Sequence, residues 1–391
     1  MPFFCIPKQK PILQGRFFQT NMLQRLTKYL AAGLALASIA SCGKKYSDDS
    51  PLPLETSPSV FISSQNGFVY ALNPQTGTKK WEFQAGSNVH ATPFLLSNKL
   101  YVATVNGILY KLDADRGTTE KQFNFFGQLL SSPIGEGNTI FQGCGDDTMR
   151  AYDVSNNTLK WKFGTGGDIV SSPTLFDNKL IFGSNDGNVY ALNKDNGTLI
   201  WKFSAGSPFV SSPSGSGKFV YIGNNNGVMY SLNKDDGTMR WQFTTGNQIQ
   251  SAPLSYGANV IFGSYDNKLY CIDTTSGLPR WVVPTSDRIV SSPTASNQVV
   301  YVGGYDYNFY AINIIEGNIK WKHTTNALIK SSPVVYGNKV YFAGYDKFLY
   351  AADTSAGQIL WKYNVNGLVE TSPVIDTKSG STIYPGISGA D

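Results

Sequence analysis

Histidine is nearly absent from this chain: His90 and His323 are the only two in 391 residues. That scarcity argues against a histidine-based zinc site or a hydrolytic triad. Cysteine is also scarce, with four in all (Cys5, Cys42, Cys144 and Cys271). Their spacing gives neither a disulfide framework nor a metal knuckle. Charged residues make up only 15% of the chain. No convincing glycine-rich phosphate loop or Gly-x-Ser-x-Gly elbow is present. The acidic turns Asn193–Gly197 and Asn233–Gly237 lack the alternating carboxylates of a calcium loop and read as plain turns. No apolar run is long enough to span a bilayer; the one from Tyr29 to Ile39 is too short.

That short run has a function of its own. Arg25 and Lys28 precede it, and Ile39-Ala40-Ser41-Cys42 ends it. A basic start, an apolar stretch and small residues before a cysteine read as a secretory signal over residues 1–41. Cys42 resembles the lipidated cysteine of a bacterial lipobox, which becomes the mature N-terminus. Starting at Met22 gives a signal of ordinary length, so residues 1–21 read as an upstream extension. Residues 42–58, rich in Pro and Ser, read as the lipidated cysteine and a flexible tether. The formal charge of +5 is all leader: removing Lys8, Lys10, Arg16, Arg25 and Lys28 from 32 basic residues leaves 27 against 27 acidic ones. A neutral mature chain has no basic field for nucleic acid.

What the chain has in abundance is one sentence rewritten. Trp81, Trp161, Trp201, Trp241, Trp281, Trp321 and Trp361 all fall on a forty-residue grid whose vacant point is Lys121. Prolines from Pro93 to Pro373 mark eight grid points, each after Ser, Thr or Ala. Asn or Asp recurs eight times from 73 to 353, and Gly follows four residues later except where Asn157 stands. Each unit divides into four short strands, exemplified by 170–176, 179–184, 188–193 and 198–203. Their β-branched and aromatic residues are separated by Asn, Asp and Gly turns. Four strands at this spacing make one propeller blade. The predicted fold is therefore all-β: an eight-bladed β-propeller of four-stranded antiparallel blades over residues 59–391.

Repetition explains the regularity. A blade cannot bury both faces alone, and an identical neighbour on each side does so while closure of the ring removes free edges. Small residues of the Ser-Ser-Pro step suit the crowded axis, and the tryptophans suit the wide periphery. The chain enters at a second strand (Val60–Ser64) and reaches a last first strand at Ser372–Asp376, so one blade combines both ends. Ile383–Ser388 is a second copy of the entering strand, and the sequence leaves open which copy pairs. Cys144 and Cys271 sit in units three apart and read as separate buried thiols.

The phrase Tyr-Ala-Leu-Asn-x3-Gly-x3-Trp at 190–201 resembles the repeat of pyrroloquinoline-quinone (PQQ)-type β-propellers, and the resemblance covers about residues 58–391. That superfamily has two branches. Its dehydrogenases hold PQQ over a Trp, bind Ca²⁺ and use an Asp base, and many carry a Cys-Cys pair. This chain has no Cys-Cys and no Trp off the grid. The other branch, the BamB lipoproteins, is non-enzymatic and serves outer-membrane β-barrel assembly. Lipobox, tether and bare propeller resemble that plan. The resemblance implies a lipid-anchored protein of a Gram-negative envelope, with its domain in the periplasm, that binds protein partners and needs neither PQQ nor Ca²⁺. The alternative class is a small-ligand binder, either a quinoprotein or a surface lipoprotein stacking sugars on tyrosines.

Function belongs where near-identical units differ. At the hairpin between second and third strands, Asn106-Gly107, Asp186-Gly187 and Asn226-Gly227 give way to Tyr265-Asp266-Asn267, Tyr305-Asp306-Tyr307 and Tyr345-Asp346-Lys347. Tyr265, Tyr305, Tyr307, Tyr345 and Lys347 are thus a candidate contact patch on exposed turns, since tyrosines anchor interfaces. The plainer alternative is that the rings cover strand ends. At the blade entrance an apolar residue recurs from Val89 to Val369, and the residue after it varies. His90, Gln250, Lys330 and Glu370 in that position form a candidate polar group at one mouth of the channel, with a local ion pair as the alternative.

Overall fold

In the computed structural model, residues 57–125 and 127–386 are described, and every element among them is a strand or a turn. The signal, Cys42 and nearly all of the tether lie outside the described residues. Eight antiparallel sheets form the blades: seven are four-stranded and one, the closing blade, is five-stranded. We number the blades from the first complete one, Phe94–Asn124 (blade 1), to Val334–Asn364 (blade 7), with the closing blade as blade 8.

Blade 3 shows the pattern. Its strands are Thr174–Phe176, Lys179–Gly183, Asn188–Asn193 and Leu199–Ser204, hydrogen-bonded in that order. The second strand pairs with the third at Leu180↔Leu192 and Ile181↔Ala191, and Ala191 pairs with Trp201 on the fourth. A bulge between Ala191 and Leu192 shifts the register beside the tryptophan. Second and third strands are buried on both faces, while the fourth alternates. Apolar residues on both faces suit a sheet covered by a neighbour on each side. The core accordingly lies between blades: Ile181, Val189, Ala191 and Trp201 of blade 3 pack with Val220, Ile222 and Leu232 of blade 4.

The first strand is shorter than predicted. It begins at Thr174, after Ser171-Ser172-Pro173, because proline has no N–H to give a ladder. The serines have partners of their own. Ser171 Oγ accepts the Gly183 N–H (3.1 Å) within its blade. Ser172 donates its backbone N–H to Ser212 Oγ of the next blade (3.0 Å). The same step links Thr92 to Ser132, Ser132 to Ser172, Ala252 to Ser292, Ser292 to Ser332, Ser332 to Ser372 and Ser372 to Thr92. A belt of hydroxyls thus runs round the axis and is interrupted where Ala252 has none to offer Ser212. Small size was half of the reason for Ser-Ser-Pro; hydrogen bonding between blades is the other half.

The tryptophans lock the periphery. Trp161 Nε1 donates to Lys194 O of the next blade (2.9 Å), five others repeat that bond 33 residues on, and Trp361 makes it across the closure to Pro74 O. Each indole covers the turn glycine of that next blade: a Cβ on Gly197 would stand 2.7 Å from Trp161 Cδ2 and Cε3. These glycines also have positive φ, +72° at Gly197. Two irregularities of the sequence are therefore one. Blade 1 has Lys121 in place of Trp, and the turn it faces in blade 2 has Asn157 in place of Gly. Asn157 keeps the φ of 63° and meets no indole.

Closure pairs the entering strand with the last first strand, and of the second copy expected at Ile383–Ser388 only Ile383 lies in a strand among the described residues. Ser59–Ser63 pairs with one edge of Val374–Asp376 at Phe61↔Val374. Thr382–Ile383 pairs with its other edge at Ile375↔Ile383. The two do not compete: the entering strand completes blade 8, and the last one folds back as a fifth strand on the axial side.

The candidate site at the channel mouth

The connection entering a blade and the hairpin between its second and third strands meet on one face of the ring. In blade 6 the Tyr305 N–H donates to Arg288 O (3.0 Å), and in blade 7 the Tyr345 N–H donates to Leu328 O (2.9 Å). This backbone bond puts the two variable positions of the sequence side by side. What reads as two candidate groups is one place. The tyrosines are also not on exposed turns: Tyr265, Tyr305 and Tyr345 are half-buried, because they lean inward over the entrance residues.

Tyr265 Oη donates to Gln250 Oε1 at 2.7 Å. The Arg288 guanidinium lies over both the Tyr265 ring (4.8 Å to the centroid) and the Tyr305 ring (4.4 Å). Glu370 gathers three partners: His90 Nδ1 at 2.8 Å, Lys330 Nζ at 3.0 Å, and the Tyr345 hydroxyl. Burial by itself would raise the Glu370 carboxyl; hydrogen bonds from His90, Tyr345 and Lys330 outweigh it and hold the group at about 2. Burial and then the hydrogen bond to Glu370 push the Tyr345 phenol up. Burial, followed by the neighbouring Tyr265, raises Tyr305 to about 12. The anticipated ion pair thus exists, and it is part of a larger arc spanning blades 5 to 8 and the entrance to blade 1.

Tyr307 and Lys347 stand apart from this arc. Both are exposed and neither bonds to it. Both hold positive φ (68° and 71°) where blades 1, 3, 4 and 8 have glycine. A bulky side chain in that region is strained, and such strain concentrates at functional sites.

Arg288 is the residue that sequence reasoning missed. The signal was one position upstream of the recurring apolar residue, where the series reads Asn88, Gln128, Asp168, Pro208, Gln248, Arg288, Leu328, Leu368 and contains a single cation. Arg288 makes no ion pair among the described residues, and its buried Nε has no hydrogen-bond partner. Asn185 Oδ1 and Asn225 Oδ1, at the hairpin position that Tyr265 holds in blade 5, are likewise buried and unpartnered. Buried polar groups ordinarily find partners, so this face, with Asp266 Oδ1 as a fourth such atom, has hydrogen-bonding capacity left for water or a partner. Among the described residues, no group of three or more His, Cys, Asp or Glu could hold a metal ion.

A profile of the family described as outer membrane protein assembly factor BamB matches residues 39–122, 121–212, 185–269 and 251–383. No curated protein matches the chain in sequence. Among solved structures, BamB from Moraxella catarrhalis aligns with a TM-score of 0.64 at 17% identity, over 76% of this chain and 96% of that one. A europium-containing methanol dehydrogenase aligns with a TM-score of 0.65 at 13% identity, over 75% and 81%. The computationally designed Ika8 protein aligns with a TM-score of 0.66 at 14% identity, over 76% and 96%. At these identities the three structures share the fold and nothing further is carried over from them.

Proposed function

This chain belongs to the outer membrane protein assembly factor BamB family, and from that premise we propose that it is a non-enzymatic scaffold that receives a protein partner at the mouth formed by blades 5 to 8. One observation carries the reading: Arg288 is held against Tyr265 and Tyr305 with no carboxylate partner among the described residues. A half-buried cation held over aromatic faces, without an ion-pair partner among the described residues, is the composition of an interface anchor. The exposed, strained Tyr307 and Lys347 form its outer rim. The partner belongs to the cell envelope, as a component of the machinery that assembles outer-membrane barrels. Cys42, lipidated, ties the chain to the outer membrane through the tether, with the propeller in the periplasm.

The quinoprotein reading fits less well. PQQ carries three carboxylates, and the mouth offers one cation without an ion-pair partner among the described residues, Arg288, while Lys330 is engaged by Glu370. No acidic group suited to a companion Ca²⁺ stands beside it among the described residues.

The test uses the full lipidated chain in its own envelope. Arg288→Ala combined with Tyr305→Ala should lower recovery of the co-purifying partner at least tenfold while thermal unfolding stays within a few degrees of the parent. Equal recovery by a folded double variant refutes the reading.

A further inference from the structure

Below the hydroxyl belt, on the side of the channel away from the tyrosine mouth, the axis opens into a cavity of about 560 Å³. We propose that this cavity binds a small uncharged ligand: a ring with an apolar body and carbonyl or ether oxygens.

Three features carry this. The first is charge. Thr, Pro, Phe, Ser, Ile, Gly, Ala and Tyr line the cavity, and no carboxylate, amine, guanidinium or imidazole does. A charged ligand would lose its hydration there with no counter-ion to replace it. The second is hydrogen bonding. Each belt hydroxyl accepts the amide N–H of the preceding blade, at Ser132, Ser172, Ser212, Ser292, Ser332, Ser372 and Thr92. Each keeps a proton that goes to no acceptor among the described residues. Ser214 Oγ, also on the wall, is buried and has no partner. The roof of the cavity is therefore rich in donors, which a ligand must meet with acceptors. The third is shape. Phe94 stacks on Tyr384 (centroids 5.4 Å apart, planes at 17°), and Ile134 and Phe176 extend the apolar wall. Such an aromatic wall favours a flat ring. The volume lies within the usual range for small-molecule sites.

The C-terminal segment forms one side of the site and fixes its width. Tyr384 Oη accepts the Leu95 N–H (2.9 Å) and donates to Leu95 O (2.7 Å), so the ring stands at a set distance from blade 1. Lys378 ties the same segment down through Asp115 and Asp376. Size, lack of charge and surplus donors all belong to this chain's own first strands and tail, and none depends on the mouth above.

The test is direct binding to the full chain carrying Cys42→Ser, which has no lipid to dissolve a probe. The neutral probe is 7-methoxycoumarin, with lactone and ether oxygens; the control is its anionic counterpart 7-methoxycoumarin-4-acetate. Fluorescence titration should give one site with Kd below about 1 mM for the neutral probe and at least tenfold weaker binding of the anion. Ser214→Phe fills the cavity without breaking a hydrogen bond and should weaken the neutral probe at least tenfold with unfolding unchanged. Tyr384→Ala removes one wall and should do the same, which keeps the test decisive if the first variant does not fold. No binding of the neutral probe up to its solubility, equal binding of both probes, or full binding by either folded variant overturns the proposal. Partner recovery at the mouth is a separate readout, so the two proposals fail independently.

Discussion

Gly197→Asn and Trp161→Lys, singly and together, test whether the turn glycine exists for the indole that covers it. Asparagine isolates the steric effect, since Asn157 already holds the same turn in blade 2 at φ 63°. In the parent, a Cβ at Gly197 would stand 2.7 Å from two indole carbons, so the ring must move. Overpacking of this kind costs about 1–3 kcal/mol. Displacing Trp161 Nε1 from Lys194 O (2.9 Å) adds about 1 kcal/mol. Gly197→Asn should therefore cost about 2–4 kcal/mol. Trp161→Lys loses a buried ring and should cost about 3–5 kcal/mol, the range of large-to-small aromatic changes. Once the ring is gone, Gly197→Asn should cost less than about 1 kcal/mol, because Asn tolerates the left-handed region. The coupling is then about 2 kcal/mol, well above the 0.5 kcal/mol or so at which independent sites scatter. Guanidinium unfolding followed by far-ultraviolet circular dichroism reads all four chains. An identical cost of Gly197→Asn in both backgrounds would refute the pairing of Trp with Gly.

Glu370 has a folded value of about 2 against an ordinary 4.5, so it contributes stability that is full above about 4.5 and lost as pH falls towards 2. Glu370→Gln should therefore lower the unfolding midpoint at pH 7, with the gap to the parent closing between those values; a gap independent of pH contradicts the three-partner arrangement. Ala252→Ser should complete the hydroxyl belt and add about 1 kcal/mol, measured by denaturant unfolding, if its Oγ meets the Ser212 N–H. Cys144 and Cys271 are free and fully buried, and burial pushes both thiols up to about 12. Neither should react with a thiol reagent at neutral pH until the chain unfolds, and rapid labelling of native protein would contradict the packing around them.

The ring was legible in the sequence because each blade repeats the same physical problem. Turn asparagines, strand alternation and the tryptophan grid all report local chemistry, which one sequence displays. The closing blade was legible as far as its two candidate strands. That a two-residue strand, Thr382–Ile383, would pair on the axial edge of Val374–Asp376 was not legible, because the first strand of every blade leaves that edge open and the repeat does not mark which one is filled. The Lys121–Asn157 exception was visible as two separate oddities; its cause is contact between residues of neighbouring blades. At the mouth, the variable residues were visible but their meeting was not. Tyr345 and Glu370 are 25 residues apart and belong to different blades, joined through the twist of the ring. Arg288 escaped notice because its neighbours along the chain, Asp287 and Ile289, suggest an ordinary exposed turn, whereas the Tyr265 and Tyr305 rings that hold it come from two separate hairpins.

The claim that the mouth is an interface is tested most directly by a photo-crosslinking residue at Tyr307. Its side chain is exposed and shares a hairpin with Tyr305, so labelling there leaves the packed arc intact. The lipidated chain is expressed in its own envelope and irradiated, and the adducts are identified by mass spectrometry, with the same label at Asn98 on the opposite face as control. The account predicts one dominant adduct with a component of the outer-membrane barrel assembly machinery, present from Tyr307, absent from Asn98 and lost with Arg288→Ala. No protein adduct from a folded, membrane-anchored chain, or the same adducts from both faces, would contradict it.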